Sequence, residues 1–128
     1  VVDANPQTLF EYVVEQLAPL GLAFIHIIEG ATGGPRELPD RPFDYEALKA
    51  AYRRAGGKGA WMVNNGYDLP LAETAVAEGD DLVAFGRPFI ANPDLVRRLR
   101  EKAPLNTLDK ATLYGGGAKG YTDYPALA

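Results

Sequence analysis

Hydrophobic positions along the chain follow two patterns, helical spacing and short continuous apolar runs. The stretch from Asn5 to Gly21 shows the first pattern, because its apolar residues recur at helical intervals. Asn5 is expected to cap this helix and Pro6 to occupy its first position, where a missing N–H costs nothing. The pattern predicts one apolar helix face, formed by Leu9, Phe10, Val13, Val14 and Leu17.

The second pattern, the continuous apolar run, predicts β-strands. The runs read LAFIHIIE, GAWMVNNG and DLVAFG, and continuous rather than alternating runs are typical of strands buried on both faces of a parallel sheet. Between and after them, helical spacing predicts helices at DYEALKAAYRRAGG, DLPLAETAVAEG and NPDLVRRLREKA. The resulting order, α–β–α–β–α–β–α plus an irregular tail, predicts an α/β fold with parallel strands and right-handed crossovers.

Such a sheet of three strands is incomplete by itself. Parallel sheets are covered on both faces, and here both edge strands would stay unpaired. We therefore expect the chain to pack against another segment or to form part of a larger barrel. The chain also begins without methionine, which suggests a piece cut or split from something longer.

The composition of the chain argues against several classes of function. A length of 128 residues predicts one domain, and a net charge of −4 argues against a nucleic-acid partner. There is no cysteine and only one histidine, His26, so no metal centre is expected. No signal peptide or membrane-spanning run is recognisable, which predicts a cytoplasmic protein without a membrane partner. His26 is expected to be a hydrogen-bonded structural residue of a buried strand.

Glycines and one arginine follow the last two predicted strands. Asn65 and Gly66 follow the second strand, and Gly86 and Arg87 follow the third. Ligands of parallel α/β folds bind at the carboxyl ends of strands, and glycine N–H groups with a guanidinium suit a phosphate. The alternative is that Gly86 forms a turn and Arg87 is a solvated charge.

The charged segment after Arg87 carries three further expectations, and Glu29 carries a fourth. Pro88 to Ile90 are expected to pack a turn, and Asn92-Pro93 to cap the last helix. Glu29, at the end of the first strand, is expected to bind loop or strand groups rather than to act as an acid catalyst. A charged, solvated face is predicted for Arg97, Arg98 and Arg100.

The motifs FGRPFIANPDL and YGGGAKGYTDYP are long, and with them the chain resembles the C-terminal segment of the Old Yellow Enzyme family. These enzymes are FMN-dependent ene-reductases of the N-ethylmaleimide reductase type, and the resemblance runs over essentially the whole chain. It implies the C-terminal part of a TIM (β/α)8 barrel, with the three strands as barrel strands six to eight. Residues 1–128 would then be one portion of a single FMN-binding domain, incomplete without an N-terminal partner segment.

The resemblance also implies roles for individual residues. Gly86 and Arg87 would hold the FMN phosphate, and Asn65 and Gly66 would add backbone amides. The family usually has glycine where this chain has Asn65, although asparagine tolerates positive φ better than other side-chain-bearing residues. Tyr114 matches a tyrosine that lines the pocket near flavin and substrate. No catalytic residue is expected in this chain, because the family's substrate-binding pair and proton-donating tyrosine belong to the earlier part of the barrel.

The implied function is that of part of an ene-reductase, inactive alone. NADH or NADPH would reduce FMN, and hydride would pass to an activated alkene. The expected partner is an N-terminal barrel segment in another chain, and self-association of the completed enzyme is left open. One alternative is a non-catalytic barrel fragment that binds phosphate ligands or self-assembles. Another is a different phosphate-binding barrel enzyme, against which YGGGAKGYTDYP weighs.

Overall fold

Helices and strands alternate through the first part of the chain in the predicted order. The computed structural model describes residues 3–128, which separate after Ala84 into two units. The elements of the first unit are α1 (Pro6–Leu17), β1 (Phe24–Ile28), α2 (Tyr45–Arg54), β2 (Ala60–Asn64), α3 (Leu69–Ala77) and β3 (Leu82–Ala84).

Short polar side chains begin the helices of the first unit. Asn5 accepts a hydrogen bond from the N–H of Thr8 at 3.5 Å, and Pro6 is the first residue of α1, as predicted. The N-cap carboxylates of α2 and α3, Asp44 and Asp68, accept equivalent bonds at 2.8 and 3.0 Å. These bonds satisfy N–H groups that have no partner inside the helix, which fixes where each helix begins.

The strands form one parallel sheet in the order β1-β2-β3. His26 of β1 pairs with Met62 of β2, which pairs in turn with Leu82 of β3. Two residues further on, Asn64 pairs with Ala84. The predicted parallel α/β arrangement is therefore confirmed, and the carboxyl ends of β2 and β3 stop at the same level.

One face of the sheet is buried beneath α2. Trp61 and Val63 of β2 are 1% and 2% exposed, and Tyr52 of α2, which packs against Trp61, is completely buried. The rings of Tyr52 and Trp61 lie 5.8 Å apart, and the Tyr52 hydroxyl accepts a hydrogen bond from the N–H of Gly59. Gly57 carries no side chain because a Cβ there would overlap the Tyr52 ring. These contacts make α2 and β2 the centre of the core.

The opposite face of the sheet is uncovered, so the prediction of strands buried on both faces is wrong for this chain. Side chains alternate between the faces of a strand, and the uncovered set includes Phe24, Ile28 and Leu82. His26 is on this face too and is exposed, not buried as expected. Its predicted hydrogen bond is confirmed, because its Nε2 lies 3.1 Å from the Asn64 side-chain amide.

The apolar face predicted for α1 is also only partly buried. Val14 is 3% exposed, whereas Leu9, Phe10 and Val13 remain more than a third exposed. Helical spacing identifies an apolar side, but it does not say whether the described part of the chain provides something to cover it.

The second unit, Phe85–Ala128, contains two short helices, α4 (Arg87–Ala91) and α5 (Leu95–Glu101). Pro88 to Ile90 lie within α4, so the expectation of a packed turn there is wrong. Proline is tolerated at this position because N–H groups of the first helical turn have no partner inside the helix. Within residues 3–128, no helix has both the length and the apolar character needed to cross a membrane.

Asn92 connects the two helices to the C-terminal tail instead of capping α5. The N-cap of α5 is Asp94, and the Asn92 side chain is 1% exposed. Its Oδ1 accepts a hydrogen bond from the N–H of Asn106 at 2.7 Å, and its Nδ2 donates to the carbonyl of Pro88 at 2.8 Å. The predicted cap is wrong, because the Asn92 side chain is used in these two hydrogen bonds instead.

Arg98 is buried, contrary to the prediction of a solvated face. It is 4% exposed, and its guanidinium donates to Asp94 Oδ1 at 2.6 Å and to the carbonyl of Pro125 at 2.9 Å. Arg97 and Arg100 are exposed, as predicted. Arg98 thus ties the end of the tail to α5.

Candidate functional site

The chain turns sharply where β2 ends. Asn65 and Gly66 follow the strand with φ angles of 100° and 73°, a combination that we call the Asn65–Gly66 turn. Glycine adopts positive φ freely, and asparagine does so more readily than most residues. Among the described residues, neither N–H group of the turn donates a backbone hydrogen bond, and Gly66 is exposed. The turn therefore presents unused donors at the carboxyl end of the sheet.

The side chain of Asn65 joins this turn to the loop that follows β1. Its Nδ2 donates to the carbonyl of Glu29 at 2.6 Å, with longer contacts to the carbonyls of Ala31 at 3.3 Å and Gly34 at 3.4 Å. The asparagine that departs from the usual glycine thus has a definite structural task. It holds two neighbouring strand ends together.

Glu29, Tyr67 and Arg36 form a compact polar cluster beside the Asn65–Gly66 turn. Glu29 and Tyr67 are each 7% exposed, and the Tyr67 hydroxyl donates to Glu29 Oε2 at 2.6 Å. Arg36 pairs with the same oxygen at 3.0 Å and lies over the Tyr67 ring at 5.2 Å from its centroid. These contacts agree with the expectation that Glu29 binds loop groups.

The electrostatics of this cluster keep Tyr67 and Arg36 in their ordinary charge states. Burial, followed by the bond to the Glu29 carboxylate, raises the pKa of Tyr67, so the phenol stays protonated and remains a donor. Burial alone would lower the pKa of Arg36, but the hydrogen bond and charge of Glu29 outweigh it and raise that pKa. The cluster is a neutral ion pair with a phenol donor attached.

Sequence reasoning missed Arg36 and Tyr67. Tyr67 carried a usable signal, since it directly follows the Asn65–Gly66 turn, but Arg36 stands in an irregular loop that gives no hint of its partner. The loop returns to the strand end at Gly30, where φ is 68° and a Cβ would collide with the carbonyl oxygens of Pro35 and Arg36.

Gly86 and Arg87 follow β3 and belong to the second unit. A Cβ on Gly86 would meet nothing within 4 Å and its φ is −90°, so the packing of the described chain does not require glycine there. Arg87 is exposed. The ion-paired cations among residues 3–128 are other residues, namely Arg36, Lys49, Arg53, Arg97 and Arg98. Gly86 therefore leaves space beside its backbone, and the neighbouring Arg87 guanidinium has no ion-pair partner among the described residues.

Tyr114, the predicted pocket residue, lies in the tail of the second unit. It is 79% exposed, its φ is 58°, and its N–H donates to the Tyr121 hydroxyl at 2.8 Å. Tyr121 and Tyr124 serve structural roles through their hydroxyls, since that of Tyr124 accepts from the N–H of Asp109. The tail thus holds the Tyr114 backbone while its ring stays accessible.

The predicted site residues divide between the two units. Asn65 and Gly66 lie in the first unit, and Gly86, Arg87 and Tyr114 lie in the second. All of the predicted cofactor-binding groups are hydrogen-bond donors, which fits an acceptor-only ligand such as a phosphate. Within the described part of the chain, no group of three or more acidic or histidine side chains could hold a metal ion.

Comparison with known proteins gives a consistent result for sequence and structure. Residues 4–106 match the model of the NADH:flavin oxidoreductase / NADH oxidase family. Putative 12-oxophytodienoate reductase 10 of Oryza sativa subsp. japonica is 41% identical over 98% of this chain and 40% of its own length. 12-oxophytodienoate reductase 2 of Arabidopsis thaliana is 37% identical over 98% of this chain and 33% of its own length.

Solved structures agree with the sequence matches. Morphinone reductase superimposes with a TM-score of 0.80 at 38% identity, and the old yellow enzyme homologue from Zymomonas mobilis (NCR) with 0.85 at 38%. Both alignments take in 98% of this chain but only 32% and 34% of the solved chains. The chain thus spans about a third of these TIM-barrel enzymes.

The sequence resemblance and the parallel α/β sheet are therefore confirmed together. The fold corresponds to part of a TIM barrel, and the family is one of flavoprotein oxidoreductases that use FMN. The chain belongs to the NADH:flavin oxidoreductase / NADH oxidase family, as a member of its Old Yellow Enzyme group of FMN ene-reductases.

Proposed function

We propose that this chain supplies the phosphate-binding side of the FMN site in an ene-reductase. Gly86 and Arg87 would hold the phosphate, and the N–H groups of Asn65 and Gly66 would add donors. When bound, FMN supplies hydride transfer from NADH or NADPH to an activated alkene, which no side chain can perform. This chain's contribution is to bind and orient the cofactor.

The observation that carries this proposal is the set of unused donors that follow β2 and β3. Asn64 and Ala84 pair in register, so β2 and β3 end at the same edge of the sheet. A phosphate offers only acceptors, and a guanidinium can bind two of its oxygens at once. Gly86 adds unobstructed backbone, since no atom of residues 3–128 lies within 4 Å of where its Cβ would be.

The reductant and the substrate pocket belong to the same proposal. A morphinone reductase variant, 38% identical with a TM-score of 0.81, was solved in complex with tetrahydroNAD, and we infer a nicotinamide reductant here as well. Tyr114, with its accessible ring, would line the pocket near flavin and alkene. No residue of this chain is assigned as the proton donor.

We further propose that the remaining barrel strands cover the open face of the sheet. Phe24, Ile28 and Leu82 on that face are 50%, 47% and 43% exposed, and apolar surface of this kind is stabilised by burial. The edges of β1 and β3 have no strand partner among the described residues. From the sequence, we expect the covering segment to come from another chain.

The test of the phosphate assignment is Arg87→Ala in the native flavin-binding protein. Charge-assisted hydrogen bonds contribute about 1.5–3 kcal/mol, so the dissociation constant of FMN should rise roughly 10- to 100-fold. Arg100→Ala is the matched control, because Arg100 is an exposed arginine of the same unit without a proposed role. Flavin fluorescence during titration of the apoprotein measures both constants.

The result also separates this function from its alternative. Equal FMN affinity in both variants would contradict the role of Arg87. A native sample without a flavin absorption band, which takes up no FMN and self-associates through its open sheet face, would instead indicate a non-catalytic barrel module.

A further inference from the structure

We propose that Glu29 is a positioning residue for the FMN phosphate, acting through the residues on either side of Gly66. Its main-chain carbonyl holds Asn65 and its carboxylate holds Tyr67. The inference rests on the proposed function and deepens it, because it names what keeps the Asn65–Gly66 turn in a binding conformation.

Glu29 contacts both flanks of Gly66 with short hydrogen bonds. The Asn65 amide donates to its carbonyl at 2.6 Å, and the Tyr67 hydroxyl donates to its Oε2 at 2.6 Å. Gly66 lies between these two anchors, is exposed, and makes no backbone hydrogen bond of its own among the described residues. One residue at the end of β1 thus fixes the direction in which the turn presents its N–H groups.

The backbone of the turn explains why anchors are needed. Asn65 has a φ of 100°, which is uncommon for a residue with a side chain and persists only where surrounding contacts favour it. Without its bond to the Glu29 carbonyl, Asn65 would be free to return to negative φ. That change would redirect the N–H groups of Asn65 and Gly66 away from a bound phosphate.

Arg36 neutralises the negative charge of Glu29 beside the proposed phosphate site. A carboxylate beside a phosphate-binding turn would repel the ligand, but Arg36 pairs with Glu29 Oε2 at 3.0 Å. The Arg36 side chain also lies close to the turn, since its Cβ is 3.7 Å from where a Cβ on Gly66 would be. The carboxylate can therefore serve as a rigid acceptor without adding net negative charge.

The test compares FMN with riboflavin, which lacks the phosphate, on the native flavin-binding protein. Tyr67→Phe removes one anchor and leaves the ring in place. We expect the dissociation constant of FMN to rise about 5- to 30-fold, less than for Arg87→Ala, because the lost hydrogen bond acts on the phosphate only through the turn. The constant of riboflavin should stay unchanged, because riboflavin makes no contact with a phosphate-binding turn.

Tyr52→Phe is the matched control. Tyr52 is also a buried tyrosine of the first unit with a hydroxyl hydrogen bond, but its partner is Gly59, just before β2 begins. A general loss of stability would lower the melting temperature of both variants. Only Tyr67→Phe should change the ratio of the FMN and riboflavin constants.

Asn65→Ala tests the second anchor and serves if Tyr67→Phe does not fold. It removes the amide and leaves a residue that rarely adopts positive φ, so it too should weaken FMN binding and spare riboflavin. An unchanged ratio in both variants, with FMN still preferred by the unmutated protein, would overturn the role of Glu29 alone. Equal affinity of the unmutated protein for FMN and riboflavin would overturn the phosphate site itself, and this inference with it.

Discussion

Asp94 makes the clearest single-residue contribution to stability in the second unit. Its carboxylate accepts hydrogen bonds from the N–H of Leu127 at 2.7 Å and from Arg98 at 2.6 Å. The Leu127 bond, followed by that of Arg98, lowers the pKa of Asp94 below its ordinary value of 3.8. The folded state therefore binds this proton less readily than the unfolded chain does.

This lowered pKa predicts a pH-dependent stability. The contribution of Asp94 is fully present above its ordinary pKa and is lost as the pH falls through the lowered value. Asp94→Asn should lower the melting temperature at neutral pH and should flatten its decline on acidification. Thermal unfolding followed across a series of pH values measures both effects. Asp40→Asn, at an exposed loop position, is the control, and parallel curves for the unmutated protein and Asp94→Asn would contradict the prediction.

Among the elements of the first unit, α2 buries three of its side chains, Leu48, Ala51 and Tyr52. Leu48 of α2 is 2% exposed, so Leu48→Ala should lower the free energy of unfolding by about 2–5 kcal/mol through lost burial and a cavity. Leu20→Ala makes the same change at a position that is 64% exposed, and it should cost within about 0.5 kcal/mol. Denaturant unfolding of the two variants provides the comparison, and similar losses would mean that α2 does not carry the core.

The elements could be predicted from sequence because their signals are local. Helical spacing, caps such as Asn5 and continuous apolar runs all fall within a few neighbouring residues. The roles of Asn92, Arg98 and Tyr67 could not be predicted, since their partners lie far along the chain. Asn92 binds Asn106, Arg98 binds Pro125, and Tyr67 binds Glu29, contacts that only the folded chain creates.

Part of the candidate site could also be predicted from the sequence, and part could not. Gly86 and Arg87 could be singled out because a glycine and a cation directly follow a strand, and the family motif supported them. The anchoring of the Asn65–Gly66 turn was not visible in the sequence. The sequence showed Asn65 only as a departure from the family's usual glycine, whereas in the structure its side chain binds three loop carbonyls.

The uncovered face of the sheet is the feature of the molecule that most needs an explanation. Continuous apolar runs predicted burial on both faces, and the fold leaves the side with Phe24, Ile28 and Leu82 exposed. The sequence pattern is that of a strand with two buried faces, and the relatives have about three times as much chain. Both observations favour an apolar partner surface over solvent.

Ile28→Lys tests that conclusion in the native protein. If barrel strands cover the face, a lysine there is buried without a partner and should cost on the order of several kcal/mol. The melting temperature should fall and the native assembly should lose mass in sedimentation or native mass spectrometry. Val96→Lys, at a position of α5 that is 61% exposed, should change neither quantity. If Ile28→Lys behaves like this control, the face is open to water in the native protein, and the proposed completion of the barrel is wrong.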